Sequence, residues 1–120
     1  MDIIHRDKTE PFITKDGSEI RELLAYRNSV IRNQSLAEAT LAPGAATQEH
    51  YHPKSEEIYY ILRGSGRMKL NGELRDVGPL DAIAIPPNAR HKIWNTGNLP
   101  LVLLCCCAPG YENDDTVMVE

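Results

Sequence analysis

A chain of 120 residues is long enough for one domain with a core of its own and needs no disulfide staple. Its 13 basic and 17 acidic residues leave a net charge of −4, and no basic stripe gathers anywhere, which argues against a nucleic-acid partner. No apolar run reaches the length of a membrane span and Met1–Glu10 is too polar for the apolar region of a signal peptide, so no membrane partner and a cytoplasmic address are expected.

Glycine, proline and asparagine interrupt the chain at short intervals, and no helical stripe is visible, which is the punctuation of an all-β protein. Residues 1–18 read as an N-terminal arm, mixed and polar, with Lys15-Asp16-Gly17 marking a turn. Strands are predicted at Glu19–Ala25, Leu36–Ala42, Thr47–His52, Glu57–Arg63, Gly66–Leu70, Glu73–Val77, Ala82–Pro86, His91–Asn95 and Leu101–Cys107. Arg27–Gln34 is a polar connection with room for a single helical turn. Between MKL and ELR, Asn71-Gly72 suits the positive φ angles of a two-residue type I′ hairpin, so the two arms should pair antiparallel. Cys105, Cys106 and Cys107 sit inside the apolar run Leu101–Ala108, where neighbours point to opposite faces and are badly placed to bridge; they read as small buried hydrophobes. Residues 111–120 form an acidic tail. Many short strands separated by turns suggest a sandwich or barrel, and a jelly roll resolves the edges of so many strands.

Chemistry concentrates in QEHYHPKSEEIYYILRG, Gln48–Gly64. Alternation on a strand puts Gln48, His50 and His52 on one face, so the two imidazoles form a pincer on rigid backbone. Pro53-Lys54-Ser55 reverses the chain, and on the next strand Glu57, Tyr59 and Ile61 share a face while Glu56 takes the other. If the turn brings these faces together, the Glu57 carboxylate meets both imidazoles, and a third imidazole is available at His91. An HxH pair alone is common on half-exposed strands. Two histidines, an acid and a distant third histidine are a ligand set, and three nitrogens with one oxygen suit iron, manganese, nickel, copper or zinc better than calcium or magnesium.

The same residues carry a resemblance. From Gly44 to Gly64 the chain resembles the first motif of the cupin superfamily: a glycine, HxH after five residues, a glutamate after three or four more, and a glycine after a further six. Gly44, His50, His52, Glu57 and Gly64 stand on its positions. Pro86, His91 and Asn95 match the second motif, with Leu80 and Asn88 standing where that motif has glycines. The resemblance implies a single-domain double-stranded β-helix, or jelly-roll barrel, over residues 1–120, with the core at 35–108 and the metal inside one end. It implies one divalent transition metal ion on His50, His52, Glu57 and His91, and a pocket to which Gln48, Tyr59 and Asn95, with Ile61, Ile93 and small Ala84, would contribute. The implied function is a small metalloenzyme, dioxygenase or isomerase/epimerase-like, acting on a small oxygen-bearing metabolite. The alternative is a barrel that binds a sugar or metabolite without turnover. By the same analogy a homodimer is expected.

Overall fold

The computed structural model describes residues 1–120, and beyond two single 3₁₀ turns, Arg6–Lys8 and Asn113–Asp115, all its regular elements are strands. These are β1 Phe12–Ile13, β2 Glu19–Leu24, β3 Ser35–Leu41, β4 His50–Tyr51, β5 Glu56–Arg63, β6 Gly66–Leu70, β7 Glu73–Val77, β8 Ala82–Ile85, β9 His91–Asn95, β10 Leu101–Ala108 and β11 Val117–Met118. They build a six-stranded sheet in the order β1-β2-β3-β10-β5-β8 and a five-stranded sheet in the order β11-β4-β9-β6-β7. Every pairing is antiparallel. From β3 onward the chain changes sheet at each connection except the β6–β7 hairpin, the crossing pattern of a jelly roll.

Alternation explains where the core sits. In β5 the residues Glu57, Tyr59 and Ile61 are buried while Glu56, Ile58 and Leu62 are exposed; in β9 His91, Ile93 and Asn95 are buried and Lys92 and Trp94 are less so. Ile61, Leu101 and Leu103 of the first sheet pack in one cluster with Met68 and Ile93 of the second. Burying each such side chain contributes roughly 1.5–3 kcal/mol.

Three predicted strands, Gly66–Leu70, Glu73–Val77 and His91–Asn95, have the observed boundaries. At the tip of β6–β7, Asn71 (φ +47°) and Gly72 (φ +87°) both take the left-handed values that a type I′ turn requires. The predicted strand Thr47–His52 contracts to His50–Tyr51. The preceding backbone is irregular instead: Ala45 N–H bonds back to Ala42, Thr47 N–H to Ile93, and Gln48 N–H to Asp16 of the arm. No helical turn forms in Arg27–Gln34, because the Asn28 side chain caps the Ala25 N–H and donates to the Leu23 carbonyl, closing a turn there. The arm and the tail each add a short strand that was not predicted, β1 against β2 and β11 against β4.

Candidate metal centre

The β4–β9 pairing places His50 directly opposite His91, with ring centroids 4.3 Å apart. His52 lies just past β4, its ring 5.1 Å from that of His50 and 5.4 Å from that of His91. Glu57, near the start of β5, turns Oε1 towards two of the three rings, 3.4 Å from Nε2 of His52 and 3.4 Å from Nε2 of His91. All four are buried, and His91 is 0% exposed. One nitrogen from each of His50, His52 and His91 lies within 4.8 Å of the others, so this group could hold a metal ion.

The protons decide whether these residues suit a metal. Each Nδ1 faces a backbone carbonyl: His50 that of Gln48 at 2.7 Å, His52 that of Asp115 at 3.1 Å and His91 that of Ala89 at 2.9 Å. A carbonyl only accepts, so each Nδ1 donates and each neutral ring presents a lone pair at Nε2. Those lone pairs point at one another and at a carboxylate oxygen. Glu57 Oε1 and His91 Nε2 are buried without any hydrogen-bond partner. Such orphaned acceptors are costly in a protein interior, and one divalent cation would satisfy them together. The donor set fits.

Charge points the same way. Burial, then the nearby His91, lowers the pKa of His50 and keeps that ring neutral. Burial pushes the Glu57 carboxyl up, but the adjacent imidazoles of His52 and His91 more than reverse this and hold it at about 2, fully ionised near neutrality. The other Glu57 oxygen, Oε2, accepts from the Cys107 thiol at 3.3 Å. Burial, followed by the Glu57 charge, raises that thiol far above its ordinary value, so it keeps the proton it donates.

A cavity of about 50 Å³ opens onto this cluster, with room for roughly three or four waters. Phe12, Leu41, Ile93 and Leu103 form much of its apolar wall. The charged residues lining it are Asp16, Glu22 and Glu57, and no lysine or arginine does so. Tyr59 lines the cavity, as do Cys105 and Cys107. Ile61 instead is sealed in the core. Gln48 is exposed and only its carbonyl serves the site; the irregular backbone before β4 breaks the alternation, and Thr47 lines the cavity in its place. Asn95 is buried, but its side chain is spent on the Leu41 and Leu99 carbonyls and the Gly97 N–H, fixing a turn. Ala84 is exposed.

Three contributors went unassigned in the sequence. Asp16, read as part of a turn, brings Oδ2 to 3.5 Å from His50 Nε2. Cys107, read as a small hydrophobe, stands opposite Glu57 in the β10–β5 register. In the acidic tail, Asp115 orients His52 through its carbonyl, while its carboxylate binds the N–H groups of Lys54 and Ser55. Partners of this kind fix the tautomer and direction of a ligating ring.

The profile of the cupin domain matches residues 37–107. The uncharacterized protein MJ1618 of Methanocaldococcus jannaschii is 52% identical over 114 residues, 95% of this chain and 91% of its own. The tetracenomycin polyketide synthase protein TcmJ of Streptomyces glaucescens is 34% identical over 86 residues, 72% of this chain but only 58% of its own. The polyketide cyclase RemF from Streptomyces resistomycificus superposes with a TM-score of 0.84 at 24% identity, over 100% of this chain and 86% of its own, a likeness of fold. With the profile covering most of the barrel, and the two-sheet jelly roll around a histidine cluster, the chain belongs to the cupin family.

Proposed function

We propose that the protein is a metal-dependent enzyme that transforms a small, uncharged, oxygen-bearing molecule inside the barrel. His50, His52, Glu57 and His91 would hold the metal. One observation carries the reading: three imidazoles and a carboxylate converge on a largely apolar cavity, and two of their atoms, Glu57 Oε1 and His91 Nε2, are buried without a hydrogen-bond partner. When bound, a divalent transition metal there supplies Lewis acidity toward a carbonyl or enolate, or a dioxygen site if it is iron.

The substrate class follows from the walls. Recognition of a phosphate or a dicarboxylate calls for a guanidinium or ammonium, and this cavity has carboxylates instead. A neutral ligand the size of a ring or smaller, carrying carbonyl or hydroxyl oxygens, meets no such repulsion. The likeness to TcmJ, a polyketide synthase protein, and to the polyketide cyclase RemF supports that choice. Phe12, Leu41, Ile93 and Leu103 would exclude water from the reacting group. Tyr59 would donate to a ligand oxygen, because burial, then the Glu57 charge, raises its phenol well above the ordinary value and keeps it protonated.

The test pairs elemental analysis of protein purified without added metal with ligand-induced thermal shifts. We expect about one transition metal per chain, lost in His91→Ala, and larger shifts with uncharged phenols and diketones than with sugar phosphates. A metal-free protein unable to take up any ion would remove the enzyme reading and leave the non-catalytic binding barrel. Tighter binding of a sugar phosphate than of its uncharged parent sugar would overturn the substrate class.

A further inference from the structure

We propose that Asp16, carried into the barrel by the N-terminal arm, supplies a further oxygen donor to the metal held by His50, His52, Glu57 and His91. The inference rests on the metal reading above and extends it to a residue outside both sequence motifs.

The argument is a parallel between two carboxylates. Glu57 has one oxygen satisfied by the Cys107 thiol and turns the other to the Nε2 atoms of His52 and His91 at 3.4 Å. Asp16 repeats the pattern beside His50. Its Oδ1 accepts from Thr14 Oγ1 at 2.7 Å, Ser18 N–H at 2.8 Å and Ser18 Oγ at 2.6 Å. Its Oδ2 is turned to His50 Nε2 at 3.5 Å. The His50 proton is already committed at Nδ1 to the Gln48 carbonyl, so nitrogen and oxygen face each other as two acceptors. A shared cation resolves that pairing as it resolves the one at Glu57.

The backbone keeps Asp16 there. Its carbonyl accepts from Gln48 N–H at 2.7 Å, tying the turn to the approach to β4. Lys15, next in line, donates to the carbonyls of Asn113 and Thr116 in the tail. The arm is thereby clamped over the cluster from two sides, and the carboxylate is only 13% exposed. Two carboxylates would balance a divalent charge and add hard oxygen to the three imidazoles, a set that favours iron or manganese over copper. They would also repel anionic ligands, in keeping with an uncharged substrate.

The experiment uses Mn²⁺ as the probe on the full chain, comparing wild type, Asp16→Asn and Glu57→Gln. Affinity comes from competition with a chelator. Water-proton relaxivity of the bound ion reports how many waters the protein leaves on it. Asp16→Asn retains an oxygen for Thr14 and Ser18, so the turn persists, and circular dichroism of the metal-free variant checks this. We expect Asp16→Asn to weaken Mn²⁺ binding by roughly 10- to 100-fold and to raise relaxivity as water replaces the carboxylate. Unchanged affinity and relaxivity in a folded Asp16→Asn, with Glu57→Gln impaired, would overturn the role of Asp16 alone. A weaker affinity with unchanged relaxivity would overturn it too, leaving Asp16 as a positioning group. Failure of wild type to bind Mn²⁺ or any other divalent transition ion would remove the metal reading itself.

Discussion

Single residues carry the site, and neighbours in sequence divide sharply by face. Glu56 and Glu57 are adjacent carboxylates, yet Glu56 is exposed and Glu57 is 6% exposed beside two imidazoles. Glu57→Ala is therefore expected to cost at least about tenfold in metal affinity, with Glu56→Ala close to wild type. Chelator competition measures both, and equal losses would mean that the carboxylate at 57 is not a ligand. The convergence of His50, His52 and Glu57 was legible in the sequence because it needs only strand alternation and one short turn, and His91, which arrives through the β4–β9 register, was legible only through its place in the second motif. Cys107 and Asp115 were not, since each reaches the cluster through the register of a distant strand or through the tail. Asp16 was legible as a turn and illegible as a ligand, because nothing local states that the turn folds over β4. Gln48 misled for a related reason: alternation was extended to backbone whose hydrogen bonds go to a turn, to β9 and to the arm.

Among the elements, short connections hold the strain. Gly64 takes φ +91°, and a Cβ added there would stand 2.6 Å from the Pro100 carbonyl oxygen, so the β5–β6 turn admits glycine alone. The β7–β8 turn is less well served. Leu80, at one of the places where the second cupin motif has glycine, takes φ +73° with its side chain 71% exposed. Its N–H donates to the Ile61 carbonyl at 2.8 Å, which fixes the position despite the cost. Left-handed backbone costs a β-carbon residue about 1–2 kcal/mol, while glycine gives back part of that through the freedom of the unfolded chain. Leu80→Gly should thus gain about 0.5–1 kcal/mol net. Asn88, at φ +67° with its N–H on the His52 carbonyl, already tolerates this region, so Asn88→Gly should gain nothing. Urea titration of both variants decides it, and a Leu80→Gly protein no more stable than wild type would refute strain at this turn. Those two departures were visible in the sequence, as were strands long enough to show a period. The two-residue strands β1 and β11 were not, because two residues cannot display alternation.

At the scale of the whole molecule, the cluster couples stability to pH in a direction that metal should reverse. Without metal, His52 and Glu57 form a buried pair. Burial lowers the His52 pKa, but the neighbouring Glu57 carboxylate outweighs that and the net shift is upward from 6.5. A group raised on folding stabilises fully below its ordinary value, and that contribution fades as pH rises through the folded value. Glu57 is shifted the other way, from 4.5 to about 2, so its contribution is complete above 4.5 and disappears as acid approaches about 2. The metal-free protein should accordingly draw most from this pair between about 4.5 and 6.5. Metal binding needs the proton gone from His52 Nε2, so the stabilisation given by a fixed metal concentration must grow as pH rises across the same range. Urea midpoints measured at several pH values, with and without added Mn²⁺, should show two curves that diverge toward alkaline pH, the metal-loaded maximum lying higher. Glu57→Gln should flatten the acid limb of the metal-free curve, since no carboxyl is left to protonate. Parallel curves would show that metal does not compete with that proton, and a steep acid limb in Glu57→Gln would assign the acid sensitivity to other carboxylates.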